Sequence, residues 1–348
     1  MDSLTQVVLG GAVGYAVLGN KVGYKAAIYG AILGTLPDLD VFLPYSGDVE
    51  AFTYHRGFSH SLLIHLLISP FIAWLLIKCH QATAIYKKHW FWLVFLCLST
   101  HAILDSFTVY GTQLLWPITE YPFAVSNLFI IDPLYTLPLL FAFIVIFLPK
   151  IKPARVTKIN HFALAISCLY ICWSLTAKFY IDKKVTIALN DRQIEVDHYL
   201  SAPAPFSTLL WRVLVMSDGQ YYEGYVSVFD SASDVSLEAY HSSDALLTNI
   251  KDEWDVQRLQ WFTKGFYSVK AEEQNIVLSD LRMGAECRYV FNFILGEQTS
   301  TGIVKSDVEK VSDRPDLSML GNVWDRIWDA SVSLAPLKKS GVCVNRES

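Results

Sequence analysis

Six apolar runs fill the first 180 residues of this 348-residue chain, and nothing comparable follows them. They cover residues 4–18, 26–43, 61–77, 90–104, 132–148 and 161–180. Inside hydrocarbon every backbone polar group needs an internal partner, so segments of this kind cross as helices. A full crossing takes about 20 residues, and the shorter runs imply tilt or local thinning of the bilayer. The expected architecture is an α-helical polytopic membrane domain of about six helices in residues 1–180, followed by a soluble α+β domain in 181–348.

The small residues of the first two runs sharpen this picture. Gly10, Gly11 and Gly14 in one, and Gly30 and Gly34 in the other, let two helix backbones approach closely. The segment 19–25 would then form a tight hairpin. Met1-Asp2-Ser3 lacks the basic start of a signal peptide, so no cleaved leader is expected.

Charge supplies the orientation. Lys21 and Lys25 separate runs one and two; Lys78, Lys87 and Lys88 separate three and four; Lys150, Lys152, Arg155 and Lys158 separate five and six. The alternate loops, 44–60 and 107–131, hold Arg56 as their only Lys or Arg. Basic loops remain in the cytoplasm. The N-terminus, both alternate loops and the soluble half are therefore expected outside it.

The two halves also differ in net charge. Residues 1–180 carry 11 Lys+Arg against 8 Asp+Glu, and residues 181–348 carry 17 against 25. A scattered basic excess of this size, joined to an acidic soluble half, excludes nucleic acid as a partner. The natural partners are membrane lipids and an amphiphilic substrate.

In the soluble half, residues 187–200, 244–262 and 323–334 read as helical, and 221–229, 266–269, 276–281 and 289–295 alternate as strands. Cys287 and Cys343 are its only cysteines and would be free to pair outside the cytoplasm. Cys79, Cys97, Cys168 and Cys172 sit in or beside apolar runs and read as packing residues. His80, His89, His198 and His241 read as solvated.

The chemistry is concentrated at the outward ends of the apolar runs. Asp38 and Asp40 flank Leu39 after Pro37, His55 and His60 bracket Arg56-Gly57-Phe58-Ser59, and His101 and Asp105 lie one helical turn apart. Helix termination explains a single DxD, and chance explains a lone HxxxD. All three on neighbouring outward ends are harder to dismiss, because a charge in a membrane helix costs roughly 2.5 kcal/mol or more. Carboxylate and imidazole are the ligands of zinc and similar ions. Asp38, Asp40, His55, His60, His101 and Asp105 are therefore the candidate ligands of one or two divalent metals, zinc first among them. Arg56 is the candidate catalytic residue, placed at the cavity rim to hold an anionic group. Ser59 is expected to cap the following helix, Gly57 to allow close approach of the backbone, and His65 to pack or support. Asp132 before Pro133 reads as a helix cap.

Pro37-Asp-Leu-Asp40, His55-Arg-Gly-Phe-Ser-His-Ser61, His101-Ala-Ile-Leu-Asp105-Ser-Phe-Thr-Val-Tyr-Gly111 and Leu115-Trp-Pro117 together resemble the YdjM-type family. These are bacterial and archaeal inner-membrane proteins assigned as metal-dependent hydrolases. The resemblance covers residues 1–180. Met1-Asp-Ser-Leu-Thr-Gln6, Pro205-Phe-Ser-Thr-Leu-Leu-Trp-Arg212 and Trp261-Phe-Thr-Lys-Gly-Phe266 resemble longer members with a C-terminal extension. Many members have His at the position of Gln6, and some have His at that of Val41. The resemblance implies a membrane-bound metal-dependent hydrolase of the inner membrane; the site's expected place at the outer lipid–water boundary points to a lipid or lipid-linked phosphoester as its substrate. Two other classes fit the residues: a non-catalytic scaffold or regulator with a structural metal, and an ion-coupled transporter.

Overall fold

Helices cover each of the six apolar runs in this computed structural model, which describes residues 1–300, 302–312 and 320–336 and the backbone of 338–339 and 342–343. These six are α1 (Ser3–Val22), α2 (Lys25–Thr35), α4 (Leu62–Cys79), α5 (Lys87–Ser106), α6 (Pro133–Ile146) and α7 (Pro153–Asp191), and a short α3 (Asp48–Tyr54) lies between the second and third runs. Among the described residues two helices, α4 and α7, are long and apolar enough to cross a membrane, and α6 is a shorter apolar helix, so six crossings are not established by helix length and composition. The helix α2 stops early because Pro37 opens a tighter 3-10 turn, Pro37–Phe42, that carries both aspartates.

The chain divides into two units. The first holds Met1–Pro44 and Tyr54–Leu175; the second holds Tyr45–Thr53 and the chain from Thr176 onward.

In the first unit, α1 and α2 cross at their glycines. A Cβ on Gly30 would lie 2.1 Å from the Gly10 carbonyl oxygen, and one on Gly14 would lie 2.5 Å from that of Ala26. No side chain larger than hydrogen fits there. Large apolar side chains are exposed in this unit: Leu67 on α4, Phe141 on α6 and Phe162 and Leu169 on α7 are each more than 60% exposed. Buried polar side chains bond inward instead, as when Asn127 donates to Ser174 Oγ at 2.6 Å and Asn160 donates to the Ala12 carbonyl at 2.9 Å. Apolar outside and polar inside is the pattern of helices packed in lipid.

The second unit is rich in strands. One antiparallel sheet runs in sequence order through β1 (His198–Pro203), β2 (Leu210–Ser217), β3 (Gln220–Ser227) and β4 (Glu238–His241). After helix α8 (Trp254–Phe262) come β5 (Tyr267–Glu272), β6 (Asn275–Asp280), the short pair β7 (Gly284–Ala285) and β8 (Arg288–Tyr289), then β9 (Asn292–Thr299) and β10 (Gly302–Val311). A second sheet has the order β10-β9-β6-β5. Helix α9 (Leu320–Trp328) and the pair β11 (Lys338–Lys339) and β12 (Val342–Cys343) complete the described chain. Ala177, Ile181, Val185 and Ala188 of α7 bury against Trp211, Val213, Val215 and Val226. Three buried arginines are paired with carboxylates, Arg212–Glu223, Arg282–Asp280 and Arg326–Asp230, each at 2.7 Å.

Several local expectations need correction. Residues 187–200 are not one helix: α7 ends at Asp191, and Tyr199 and Leu200 pair with Val215 and Leu214. Residues 244–262 contain a 3-10 turn, Asp244–Leu247, before α8. His80 is not simply solvated, because its ring stacks on Trp90 and its Nε2 meets the Tyr29 hydroxyl. The cysteines need no correction: Cys287 is disulfide-bonded, and Cys79, Cys97, Cys168 and Cys172 form no disulfide. The side chain of Cys343, its expected partner, lies outside the described residues.

Candidate metal centre

The 3-10 turn that ends α2 has three residues per turn, so residues two apart point in very different directions. Asp38 and Asp40 accordingly face different partners. Asp38 turns toward His60 and His101, its Oδ1 lying 3.4 and 3.3 Å from their Nε2 atoms. Asp105 reaches the same point from α5, with Oδ2 3.3 Å from His60 Nε2 and 3.6 Å from His101 Nε2. The two Nε2 atoms are 3.1 Å apart. One donor atom from each of the four residues lies within 4.8 Å of the other three.

This spacing can be compared with an ion's needs. Bonds of about 2.0–2.1 Å to a tetrahedral ion put neighbouring donors about 3.3 Å apart. The five distances above scatter around that value. Asp105 Oδ2 is also buried without a hydrogen bond, although Arg56 Nε lies 3.1 Å away. A buried carboxylate oxygen lacking such a bond is costly in a closed protein. The donor set fits a divalent ion.

Both imidazoles are oriented for this. His101 Nδ1–H donates to the Gly34 carbonyl at 2.6 Å, which leaves Nε2 as the lone pair facing the cluster. Gly34 precedes the helix end, where carbonyls lack intrahelical partners. His60 Nδ1–H donates to Ser59 Oγ at 2.9 Å, and Ser59 Oγ–H donates to Asp40 Oδ2 at 2.6 Å. Partners of this kind hold a ligating ring in place and raise its basicity.

Asp40 is the hub of the next layer. Besides Ser59 it accepts the Arg56 N–H at 2.9 Å and His55 Nδ1–H at 2.8 Å. His55 lies edge-on to Tyr110, with its side chain 22% exposed. Four of the six sequence-derived ligands thus converge, while Asp40 and His55 bond to each other beside them.

Arg56 does not sit at a rim. It is 5% exposed, with Nη1 donating to Thr108 Oγ1 at 3.1 Å and its guanidinium 5.2 Å from the Tyr110 ring centroid. Its backbone has φ +63°, a conformation that costs a side-chain-bearing residue about 1–2 kcal/mol. The hydrogen bond from its amide to Asp40 helps offset that cost. A Cβ on Gly57 would lie 2.8 Å from the Tyr54 carbonyl oxygen, so glycine follows.

Other residues were hidden from sequence reasoning. Gln6 Nε2 donates to Asp105 Oδ1 at 2.9 Å, and the Met1 amino group meets the same oxygen. The family resemblance alone pointed at position 6. Ser59 does not cap α4; Ser61 does, accepting the Ile64 N–H at 3.3 Å. His65 Nε2–H holds the Ser59 carbonyl at 2.8 Å. Asp132 caps α6 as expected, accepting from the Leu134 and Tyr135 amides.

The profile described as YdjM inner membrane protein matches residues 1–181. The chain belongs to the YdjM family. That match contains every residue of the cluster. The YdjM member described here is also similar to the uncharacterized protein YfhP of Bacillus subtilis (strain 168). The two are 28% identical over 249 residues, which cover 68% of this chain and 73% of YfhP. No solved structure matches this YdjM protein at a significant level.

Proposed function

We propose that this protein is a multi-pass inner-membrane hydrolase that uses a divalent metal, zinc first, to cleave an ester or phosphoester of an amphiphile. The observation that carries the proposal is the set of four convergent donors on Asp38, His60, His101 and Asp105. Those four would hold the ion. When bound, it would supply Lewis-acid polarisation of the scissile group and a water of lowered pKa.

The protein's own residues have separate tasks in this scheme. Asp40 fixes His55 with Nδ1 protonated, leaving Nε2 as the lone pair of a partly exposed base. His55 would accept a proton from the attacking water and return it to the leaving group. Arg56 places positive charge beside the cluster, where a phosphoryl or carboxyl oxygen would gain from it.

Location supports an amphiphilic substrate. The starts of α1, α4 and α6 and the ends of α2 and α5 carry the cluster and its neighbours. At the other end Asn20 accepts from Thr157, Lys21 lies over Tyr86, and Tyr29 meets His80, in or beside the basic loops. The positive-inside rule assigns that end to the cytoplasm. The cluster and the second unit would then lie outside it, at the lipid–water boundary.

The test is hydrolysis by purified protein reconstituted in lipid, with zinc or manganese added, over a panel of lipid phosphoesters and carboxyl esters. Turnover abolished by His101→Ala and reduced at least a hundredfold by His55→Ala would support the assignment. Metal bound at full occupancy with no turnover across the panel would favour a structural metal in a scaffold or regulator.

A further inference from the structure

Asp40 and His55 are hydrogen-bonded neighbours, yet the chain between them leaves the helical unit. Tyr45–Thr53 belongs to the strand-rich second unit, flanked by Pro44 and Tyr54 of the first. We infer that the second unit, by gripping this segment, sets the geometry of the His55–His60 run, with Phe52 as the principal positioning residue. The inference rests on the metal-centre reading only for its consequence, not for its mechanics.

The grip is specific. Phe52 is 3% exposed, and its ring centroid lies 5.0, 4.8 and 5.1 Å from those of Phe262, Phe291 and Phe293. Val49 is buried beside it in sequence, one turn earlier. Thr53 Oγ1 accepts from Arg258 Nε at 3.0 Å, and Asp48 Oδ2 accepts the Lys310 N–H at 2.7 Å. Aromatic packing, a guanidinium and a strand amide thus hold three consecutive parts of α3. A seven-residue helix has little stability of its own, because isolated helices shorter than about 12 residues are marginal in water. Its shape therefore depends on what it packs against.

The consequence travels along the backbone. Phe52 is three residues from His55, a span of at most about 10 Å. Thr53 is followed by Tyr54, His55 and the strained Arg56, whose amide donates to Asp40. Asp40 in turn steadies Ser59 and, through it, His60. Releasing α3 would loosen the Arg56 amide first and the His60 ring after it. Outer partners of ligating residues typically affect metal affinity by about 10–100-fold.

Hydrogen exchange and zinc affinity on the full chain in nanodiscs test this together. Phe52→Ala removes the aromatic anchor; Arg258→Ala removes the guanidinium that donates to Thr53 and lies 4.3 Å from the Trp261 ring centroid, and leaves the Phe52 packing in place. Leu214→Ala removes a buried side chain elsewhere in the second unit and serves as the control. The expected result for Phe52→Ala is at least tenfold faster exchange in the peptide containing the Arg56 amide, at least tenfold weaker zinc binding, and a changed visible spectrum of the cobalt-loaded protein. Arg258→Ala should show the same changes to a smaller degree, and Leu214→Ala should leave the Arg56 peptide as in wild type. Wild-type exchange at the Arg56 peptide in both Phe52→Ala and Arg258→Ala would overturn the inference. General acceleration across the second unit in Phe52→Ala would move the decision to Arg258→Ala alone. Faster exchange in a protein that binds no zinc would support the inference and overturn the metal reading instead.

Discussion

The glycine crossing of α1 and α2 makes a quantitative prediction through Gly30→Ala. The new Cβ would lie 2.1 Å from the Gly10 carbonyl oxygen and 3.0 Å from the Gly14 Cα, both backbone atoms that no rotamer change can move. To reach an ordinary contact the two helices must separate by roughly 1 Å, and overpacking of this kind costs about 1–3 kcal/mol. Alanine recovers about 0.5–1 kcal/mol in helix propensity, leaving a net loss centred on about 1 kcal/mol and at most about 2.5 kcal/mol. For a chain of 348 residues each kcal/mol lowers Tm by about 1–2 °C. The same separation carries the Gly34 carbonyl away from His101 Nδ1, where the bond is now 2.6 Å. Zinc affinity should therefore fall about 10–100-fold. Gly321→Ala is the matched control, since it too lies in a helix but has nothing within 4 Å of its Cβ position. Thermal unfolding and chelator competition on the two variants in nanodiscs supply the comparison. Equal Tm and equal zinc affinity for Gly30→Ala and Gly321→Ala would refute the close-crossing argument.

Asp38→Asn should lower zinc occupancy, whereas Asp40→Asn should keep one site and weaken it about 10–100-fold; metal analysis after graded chelation separates the two, and equal behaviour would contradict the layering. Reporters fused after Asp191 and inserted within residues 87–89 should give opposite topology signals, and a cytoplasmic signal from the first would overturn the outward assignment of the cluster. Burial, with the Arg282 guanidinium nearby, brings the Lys264 ammonium down to about 8 from its usual 10.5. Its unfolded form binds more protons between those values, so wild type should gain stability relative to Lys264→Gln as pH rises from about 8 to 10.5. Denaturant midpoints for both proteins across that range decide it, and parallel curves would contradict the burial argument.

The helices were legible because each apolar run exceeded any local competing signal. The glycines of α1 and α2 announced a close crossing, and DxD, HxxxxH and HxxxD marked the helix ends that meet. What stayed hidden depended on geometry that residue type does not encode. The separate tasks of Asp38 and Asp40 follow from a 3-10 turn, whereas sequence alone leaves their relative direction open. Burial of Arg56 follows from its left-handed backbone, an unusual state for arginine. The α3 segment has too few apolar residues to show a period, and its membership in the second unit depends on partners more than 200 positions away. Strand β1 was hidden behind the continuation of α7, since residues 187–191 do extend a helix before Tyr199 and Leu200 join a ladder. Gln6 carries no metal-binding signal of its own and reaches the cluster only because α1 packs beside α5.

The central claim is that two imidazoles and two carboxylates converge on one ion. X-ray absorption at the zinc edge, measured on the full chain loaded with one equivalent of zinc, tests it most directly. The account predicts nitrogen and oxygen donors only, at about 2.0–2.2 Å, with outer-shell scattering from two imidazoles that falls to one in His60→Ala and in His101→Ala. A spectrum with sulfur donors, or one unchanged by both substitutions, would contradict it.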